Sequence, residues 1–436
     1  MKKIILTVLI AVAGTVALLS AEGGVEFSGD VQSLWGAGAP WTDSDTSAGK
    51  YTLGTSSITG KVDAYYGNSS AFADGTISYD AISNKTDFAL KELWVDYTAS
   101  FWGVRAGRQK AAWGKADGID ITNVICPSDM SSFAAMTGDD SKLAIDALRL
   151  SLTGNQFTLD AWWIPFFTPS ALPLQEGNVL RKFAVPETVE LPLPALGKTL
   201  VLPVSVGKLE KPETAIWNGE YGLKASGYFS AFDVSLYGFY GWEDTPVMGS
   251  EVRFGAPADP SNPATALPES VCINGEYKRL IMFGADAAIP VRNVVLRTEA
   301  AFFPERYFSA EEQRNEISAL AGLDWMPAGW TITAQYFCDA VLGDLKPLER
   351  EDNYTHGATL SVSKSLLNET MDASFSGIVN FNEFDSLLNP SVSYSLSDQI
   401  NLGAGADIFI PGPDKDGKYG AYKELSTIYI KAKYSF

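Results

Sequence analysis

The stretch Ser426-Thr427-Ile428-Tyr429-Ile430-Lys431-Ala432-Lys433-Tyr434-Ser435-Phe436 at the end of the sequence decides how the rest is read. Ile428, Ile430, Ala432, Tyr434 and Phe436 fall on one face of an extended chain, and Tyr429, Lys431, Lys433 and Ser435 on the other. Side chains alternate across a β-strand with period two. A strand that is apolar outward and polar inward over about 10 residues is the pattern of a barrel wall in lipid. A water-soluble fold rarely closes on such a strand with an aromatic residue last.

The same alternation recurs upstream. Ile58, Val62, Ala64 and Tyr66 oppose Thr59, Lys61, Asp63 and Tyr65, and Leu148, Leu150 and Leu152 oppose Arg149 and Ser151. Met371, Ala373 and Phe375 oppose Asp372, Ser374 and Ser376. Short turns rich in Gly, Pro, Asn, Asp or Ser are expected near residues 67–70, 98–100, 153–155, 230–233, 290–293, 327–329, 366–368 and 397–399. Longer connections are expected at 36–51, 111–141, 166–214, 243–276, 304–315, 343–353 and 411–424. Short periplasmic turns alternating with long extracellular loops mark outer-membrane barrels. The spacing predicts an all-β, antiparallel transmembrane barrel of about 18 strands, or 16 if one hairpin is miscounted. A secreted sandwich or solenoid is the competing fold and does not need that alternation.

The beginning of the sequence agrees. Lys2 and Lys3 precede an apolar run from Ile4 to Leu19, and Ser20 and Ala21 are small, so residues 1–21 read as a cleaved signal peptide. Residues 22–436 are then expected to form one barrel domain. No later run approaches the roughly 20 apolar residues of a membrane-spanning helix. A net charge of −19 argues against nucleic-acid partners, which require clustered Lys and Arg. Three cysteines, Cys126, Cys272 and Cys338, cannot form a disulfide framework, although one bridge is open to them.

With lipid outside, inward faces carry the function. The alternation places Lys61, Asp63, Glu92, Asp96, Arg105, Gln109 and Arg149 on the inner wall, followed by Asp160, Glu220, Lys224, Arg297, Glu299, Asp324, Asp372, Asp407, Lys431 and Lys433. Charges of both signs require water or each other, and 16 to 18 strands enclose an aqueous channel. Arg105, Arg108 and Lys110 end the fifth predicted strand. The loop at 111–141 then carries Trp113, Asp117, Asp120, Asn123 and Asp129, with Gly and Pro punctuation that suggests a shaped structure. Folded inward, it would face the basic sector and filter solutes by charge.

Arg105-x-Gly107-Arg108-Gln109-x-x-x-Trp113-Gly114, with Asp117-Gly118 and Asn123-x-x-x-Pro127-x-Asp129, resembles a segment of porin-like outer-membrane proteins of uncharacterised function. The strand ending also resembles the phosphate-selective porins. The loop occupies the position of the constriction loop in general porins. The resemblance covers about 25 residues closely and implies a barrel and a loop-narrowed pore. A long Arg/Lys ladder is absent, which departs from an anion-selective design.

The apolar insertion at 166–214 is expected to pack as a cap, with an external hairpin or a lipid contact as the other arrangements. Trp94, Tyr97, Phe101, Trp102, Trp325, Trp330, Tyr394 and Phe436 are expected in a lower aromatic girdle. Trp163, Phe166, Tyr240, Trp242, Phe302, Phe303 and Tyr336 are expected in an upper one. His356 is the only histidine, and no catalytic or metal-binding spacing accompanies it, so neither enzyme activity nor a cofactor is expected. The sequence thus predicts a porin-like channel for small polar or amphipathic solutes. Its expected partners are outer-membrane lipid, the barrel-assembly machinery through Phe436, and other copies in a homotrimer. A carrier of hydrophobic compounds resembling fatty-acid channels and a non-conducting adhesin or receptor are the alternatives.

Overall fold

The computed structural model describes residues 23–43, 47–132, 141–193, 197–257, 261, 266–348, 350, 352–414 and 417–436. The expected signal peptide and residues 133–140 of the expected constriction loop lie outside them. The first strands are β1 (Gly23–Gly38), β2 (Tyr51–Tyr66), β3 (Ser69–Asp80), β4 (Lys85–Thr98), β5 (Trp102–Gln109), β6 (Ile145–Thr153) and β7 (Phe157–Ile164). Next come β8 (Thr188–Leu193), β9 (Lys198–Glu210), β10 (Glu220–Tyr228), β11 (Asp233–Trp242), β12 (Val247–Phe254), β13 (Pro268–Glu276) and β14 (Arg279–Val291). The last are β15 (Val294–Tyr307), β16 (Gln313–Trp325), β17 (Trp330–Leu342), β18 (Tyr354–Leu366), β19 (Met371–Asn380), β20 (Asp385–Ser395), β21 (Ile400–Ile410) and β22 (Thr427–Ser435).

All but β8, β9, β12 and β13 form one 18-stranded antiparallel sheet, each strand paired with the next in the chain. β22 pairs with β1 from Asp30↔Ser435 to Gly38↔Thr427, so the sheet closes on itself. Beyond the last rung, Gly29 N donates to Phe436 O at 2.9 Å and Phe436 N to Gly29 O at 3.0 Å. Closure leaves no strand edge, and in lipid every backbone N–H and C=O must be satisfied internally. The transmembrane barrel expected from the terminal strand is the fold observed.

The outer wall is apolar and exposed, with Phe27, Phe88, Leu93, Leu236, Phe283 and Ile430 among the residues it presents. Tyr97, Phe101, Trp325, Trp330, Tyr394 and Phe436 are exposed near the short-turn end, and Phe166, Tyr240, Phe302 and Tyr336 near the other. Trp94 and Phe303 depart from the expected girdles. Trp94 shares the inward face of Asp96, two residues away, and Phe303 is buried in the core inside the barrel.

All eight expected short turns connect strands at one end. Two connections at the opposite end, residues 81–84 and 381–384, are equally tight. In the first, Asp80 accepts from Ile82 N at 2.9 Å and from Ser83 Oγ at 2.8 Å. The expected loop at 304–315 is shorter than predicted because β15 continues through an irregularity between Phe303 and Arg306.

The later part of the apolar insertion, from Thr188 to Glu210, takes the hairpin form, while its earlier part packs against the loop that follows β5. β8 and β9 pair antiparallel, and β9 then runs parallel to β13 of the next long loop, giving the order β12-β13-β9-β8. The run from Thr199 to Val206 alternates, so its apolar residues are those of a strand in a sheet built from two loops.

Candidate channel constriction

Residues 110–132 and 141–144, between β5 and β6, enter the barrel. Trp113, Ile121 and Ile125 are buried with Tyr237 and Phe239 of β11, Met282 of β14, Ala301 and Phe303 of β15, and Leu320 of β16. Burying each large apolar side chain contributes about 1.5–3 kcal/mol. Four strands separate β6 from β15 around the wall, so the loop runs as a chord across the lumen.

Its polar anchor is Glu299 on β15. Oε2 accepts from Lys115 N at 2.7 Å and Ala116 N at 2.9 Å. Oε1 accepts from Thr122 N and Thr122 Oγ1, each at 2.7 Å. Gly114 stands at φ +85°, and a Cβ there would lie 2.5 Å from Glu299 Oε1. That left-handed residue turns two successive N–H groups onto one carboxylate, forming a backbone nest for an anion. Tyr237 OH donates to Asp286 and accepts from Gly114 N at 3.0 Å. On β17, Gln335 brackets Asp117, accepting from its N at 2.9 Å and donating to its O at 2.6 Å. Arg297 donates to Lys115 O at 3.0 Å and pairs with Asp324.

The structure separates the residues of the expected basic sector. Arg105 and Arg149 lie directly opposite each other on β5 and β6 and face inward. Like charges so placed repel, and Asp96 compensates, 3.0 Å from Arg105 and 3.7 Å from Arg149. The Arg105 guanidinium lies 3.6 Å from the centroid of the Trp94 ring, and that of Arg149 lies 5.6 Å from Trp162. Arg108 is opposite Leu93 and Asp146 in register, on the lipid-facing side, and pairs with Asp146 at 3.2 Å. It stands three positions after Arg105, and an odd spacing in a strand reverses the face. Lys110 is past the end of β5, where its N donates to Glu92 Oε2 at 3.2 Å.

Gln109 is fully buried and donates to Ala147 O at 2.9 Å, clipping two strands together. Lys61 pairs with the inward Asp74 at 3.7 Å, and Asp63 shares its rungs with Glu26 and Phe72. Loop carboxylates expected to face the basic wall are held within the loop instead. Asp120 pairs with Lys142 at 2.8 Å, and Asp129 accepts from Ser131 N at 2.9 Å. Lys142 also donates to Asn123 O at 3.3 Å and Cys126 O at 3.0 Å. Sequence reading missed Lys142, Thr122, Tyr237 and Gln335. Lys142 lies one position beyond the predicted loop, and the other three have no local pattern to distinguish them.

The next loop lies over the constriction. Met130 N donates to Ala171 O at 2.9 Å and Asn178 Nδ2 to Ser131 O at 2.8 Å. Farther along, Phe183 meets Tyr422, from the loop before β22, with ring centroids 4.8 Å apart.

Residues 4–404 match the family described as "Protein of unknown function (DUF1302)". The chain belongs to that family. No curated protein matches it. Among solved structures, the outer membrane protein OpdK from Pseudomonas aeruginosa superposes with a TM-score of 0.52 at 7% identity, covering 95% of this chain and 99% of its own. OccK3 (OpdO) from Pseudomonas aeruginosa gives a TM-score of 0.51 at 7% identity, covering 94% of this chain and 95% of its own. OpdK with vanillate gives 0.51 at 7% identity, covering 94% and 98%. At such identities the likeness is one of fold, and it agrees with the closed 18-stranded barrel of this DUF1302 chain.

Proposed function

We propose that this chain is an outer-membrane, porin-like channel through which small polar or amphipathic solutes diffuse, passively or with selection, past a constriction. The observation that carries this reading is the chord of residues 110–132, pinned by Glu299 across a barrel of 18 strands. A barrel of that size leaves an aqueous channel unless something enters it, and a loop anchored on the far wall narrows it without being part of it. In this reading the short turns and both termini face the periplasm and the long loops face outward. Phe436 serves as the signal to the barrel-assembly machinery, lipid covers the outer wall, and the assembled form is a homotrimer.

Arg105 and Arg149 are the proposed selective wall, with Trp94 and Trp162 beneath them. Arg297, Glu299 and Gln109 position the constriction. Because Asp96 offsets part of the basic charge, the filter favours anions weakly and does not act as a dedicated phosphate site. OpdK was solved with vanillate, which makes vanillate a useful anionic probe here.

Single-channel conductance in a planar bilayer, with a reversal potential under a salt gradient, tests the reading. Discrete openings are expected, and Arg105→Gln with Arg149→Gln should shift the reversal potential toward cation preference. Openings indifferent to those changes would keep the pore and remove the filter. Absence of openings would remove the pore, leaving the hydrophobic carrier or the adhesin.

A further inference from the structure

Beyond the constriction loop, two rungs of the wall carry hydroxyl and amide groups, with Asp407 accepting from Asn389 Nδ2 at 2.7 Å on one flank and Asp372 one inward position past Ser374 on β19. Among the described residues, the loop reaches Gln335 of β17 in that direction, and Gln335 also donates to Thr359 of β18 at 2.8 Å. On the next rungs toward the short turns, Ser361, Ser376 and Asn389 are opposite one another in β18, β19 and β20. One rung further stand Ser363, Ser374 and Ser391. Val362, Phe375 and Pro390 between them face outward, so all six polar side chains face the lumen. Ser374 and Ser376 are exposed there, and Ser374 and Ser391 share a hydrogen bond of 2.6 Å.

Elsewhere on the wall three inward cations are paired. Lys61 is 3.7 Å from Asp74, Lys433 is 3.6 Å from Asp30, and Arg105 is 3.0 Å from Asp96. A solute leaving the constriction therefore meets two rungs of uncharged hydrogen-bonding groups on β18–β20.

We propose that this wall of β18–β20 is the solute track and that the solutes it suits are uncharged polyhydroxylated molecules of the sugar or polyol type. The inference rests on the pore reading and deepens it. A serine hydroxyl offers one donor and two acceptor lone pairs, so it exchanges hydrogen bonds with a solute hydroxyl in either sense. Inward side chains recur about every 6.8 Å along a strand and about 4.8 Å across strands. One solute hydroxyl after another can thus replace its hydration by wall contacts. Each contact is nearly isoenergetic with water, which lets the solute enter without trapping it, as conduction through several weak sites requires. Fixed net charge would instead favour ions and gain nothing from a neutral polyol.

The test is proteoliposome swelling with xylitol, gluconate and lysine, alongside K+ conductance of the same preparation. Wild type should admit xylitol faster than either charged solute. In Ser361→Ala/Ser374→Ala/Ser376→Ala/Ser391→Ala, xylitol swelling should fall about threefold or more, the effect of one net hydrogen bond, while conductance is retained. Gluconate or lysine entering faster than xylitol, or an unchanged xylitol rate in the conducting variant, would overturn the inference and leave the pore standing. A wild type without conductance would overturn both.

Should the fourfold variant fail to fold, Ser374→Cys serves alone. Cys126 and Cys272 are buried, and Cys338 faces lipid beside the inward Phe337, so wild type is a clean control for a charged, membrane-impermeant thiosulfonate. Modification of Ser374→Cys should slow xylitol entry. An unmodified or unaffected variant would refute the track.

Discussion

Glu299 gathers four donors from one loop at 2.7–2.9 Å, and its removal is the most informative single change in the lumen. Glu299→Ala leaves the N–H groups of Lys115, Ala116 and Thr122 without an acceptor and should cost the anchorage about 3 kcal/mol. The expected readout is a larger, noisier single-channel conductance from a barrel that still folds. Gly114→Ala should reproduce it, because φ +85° strains any L side chain and the Cβ collides with the same carboxylate. Cys126 gives a second test. Burial pushes its thiol up to about 11, against the opposing hydrogen bond from Ala111. N-ethylmaleimide at pH 8 should therefore spare it in the folded protein and label it after denaturation. The protonated form is the one folding favours. Its contribution is full below the ordinary thiol value near 8.5 and is lost as pH rises through about 11. Conductance noise should accordingly grow on the alkaline side and recover on return to neutrality. At this scale the sequence was only partly informative. Period two placed Arg105, Arg149 and Glu299 inward, but nothing local distinguishes a buried anchor from a charge facing water. The expectation for Arg108 lost sight of the face reversal over three positions.

Elements were far more legible. Each wall strand must show apolar residues to lipid and polar ones to the lumen, so the pattern was written in nearly every segment, and turn chemistry placed the short connections. The loops obey no such constraint. Residues 166–214 looked unusual as a loop because their apolar alternation belongs to β8 and β9, and β9 pairs with residues more than sixty positions downstream, as in Ser205↔Cys272. Such long-range pairing leaves no local trace. The following loop is held at its base by Arg306, which binds Glu243 at 2.9 and 2.8 Å and Glu316 at 2.7 Å. Arg306→Ala leaves two carboxylates without their common partner. Limited proteolysis should cut residues 243–278 markedly faster in that variant, with conductance little changed.

At the scale of the whole molecule, closure is the event that makes the fold. β22 meets β1 over nine register pairs, and Phe436 adds two backbone hydrogen bonds to Gly29. Deleting Phe436 removes those bonds and an outward aromatic ring, a loss of about 2–4 kcal/mol. Refolding yield into detergent micelles, read from the heat-modifiable migration of the closed barrel, should drop. A yield equal to wild type would assign closure to the remaining rungs.

The sheet shared by two loops bears on how this protein can diversify. Surface loops ordinarily vary one at a time, since an insertion in one leaves its neighbours alone. Here β9 and β13 come from different loops and lie in a common parallel ladder from Val271↔Val204 to Glu276↔Glu210. A residue inserted in either strand shifts the register for both unless a bulge absorbs it, as the irregularity between Ile273 and Gly275 does. The two loops should therefore change length and sequence together in divergent copies of this chain.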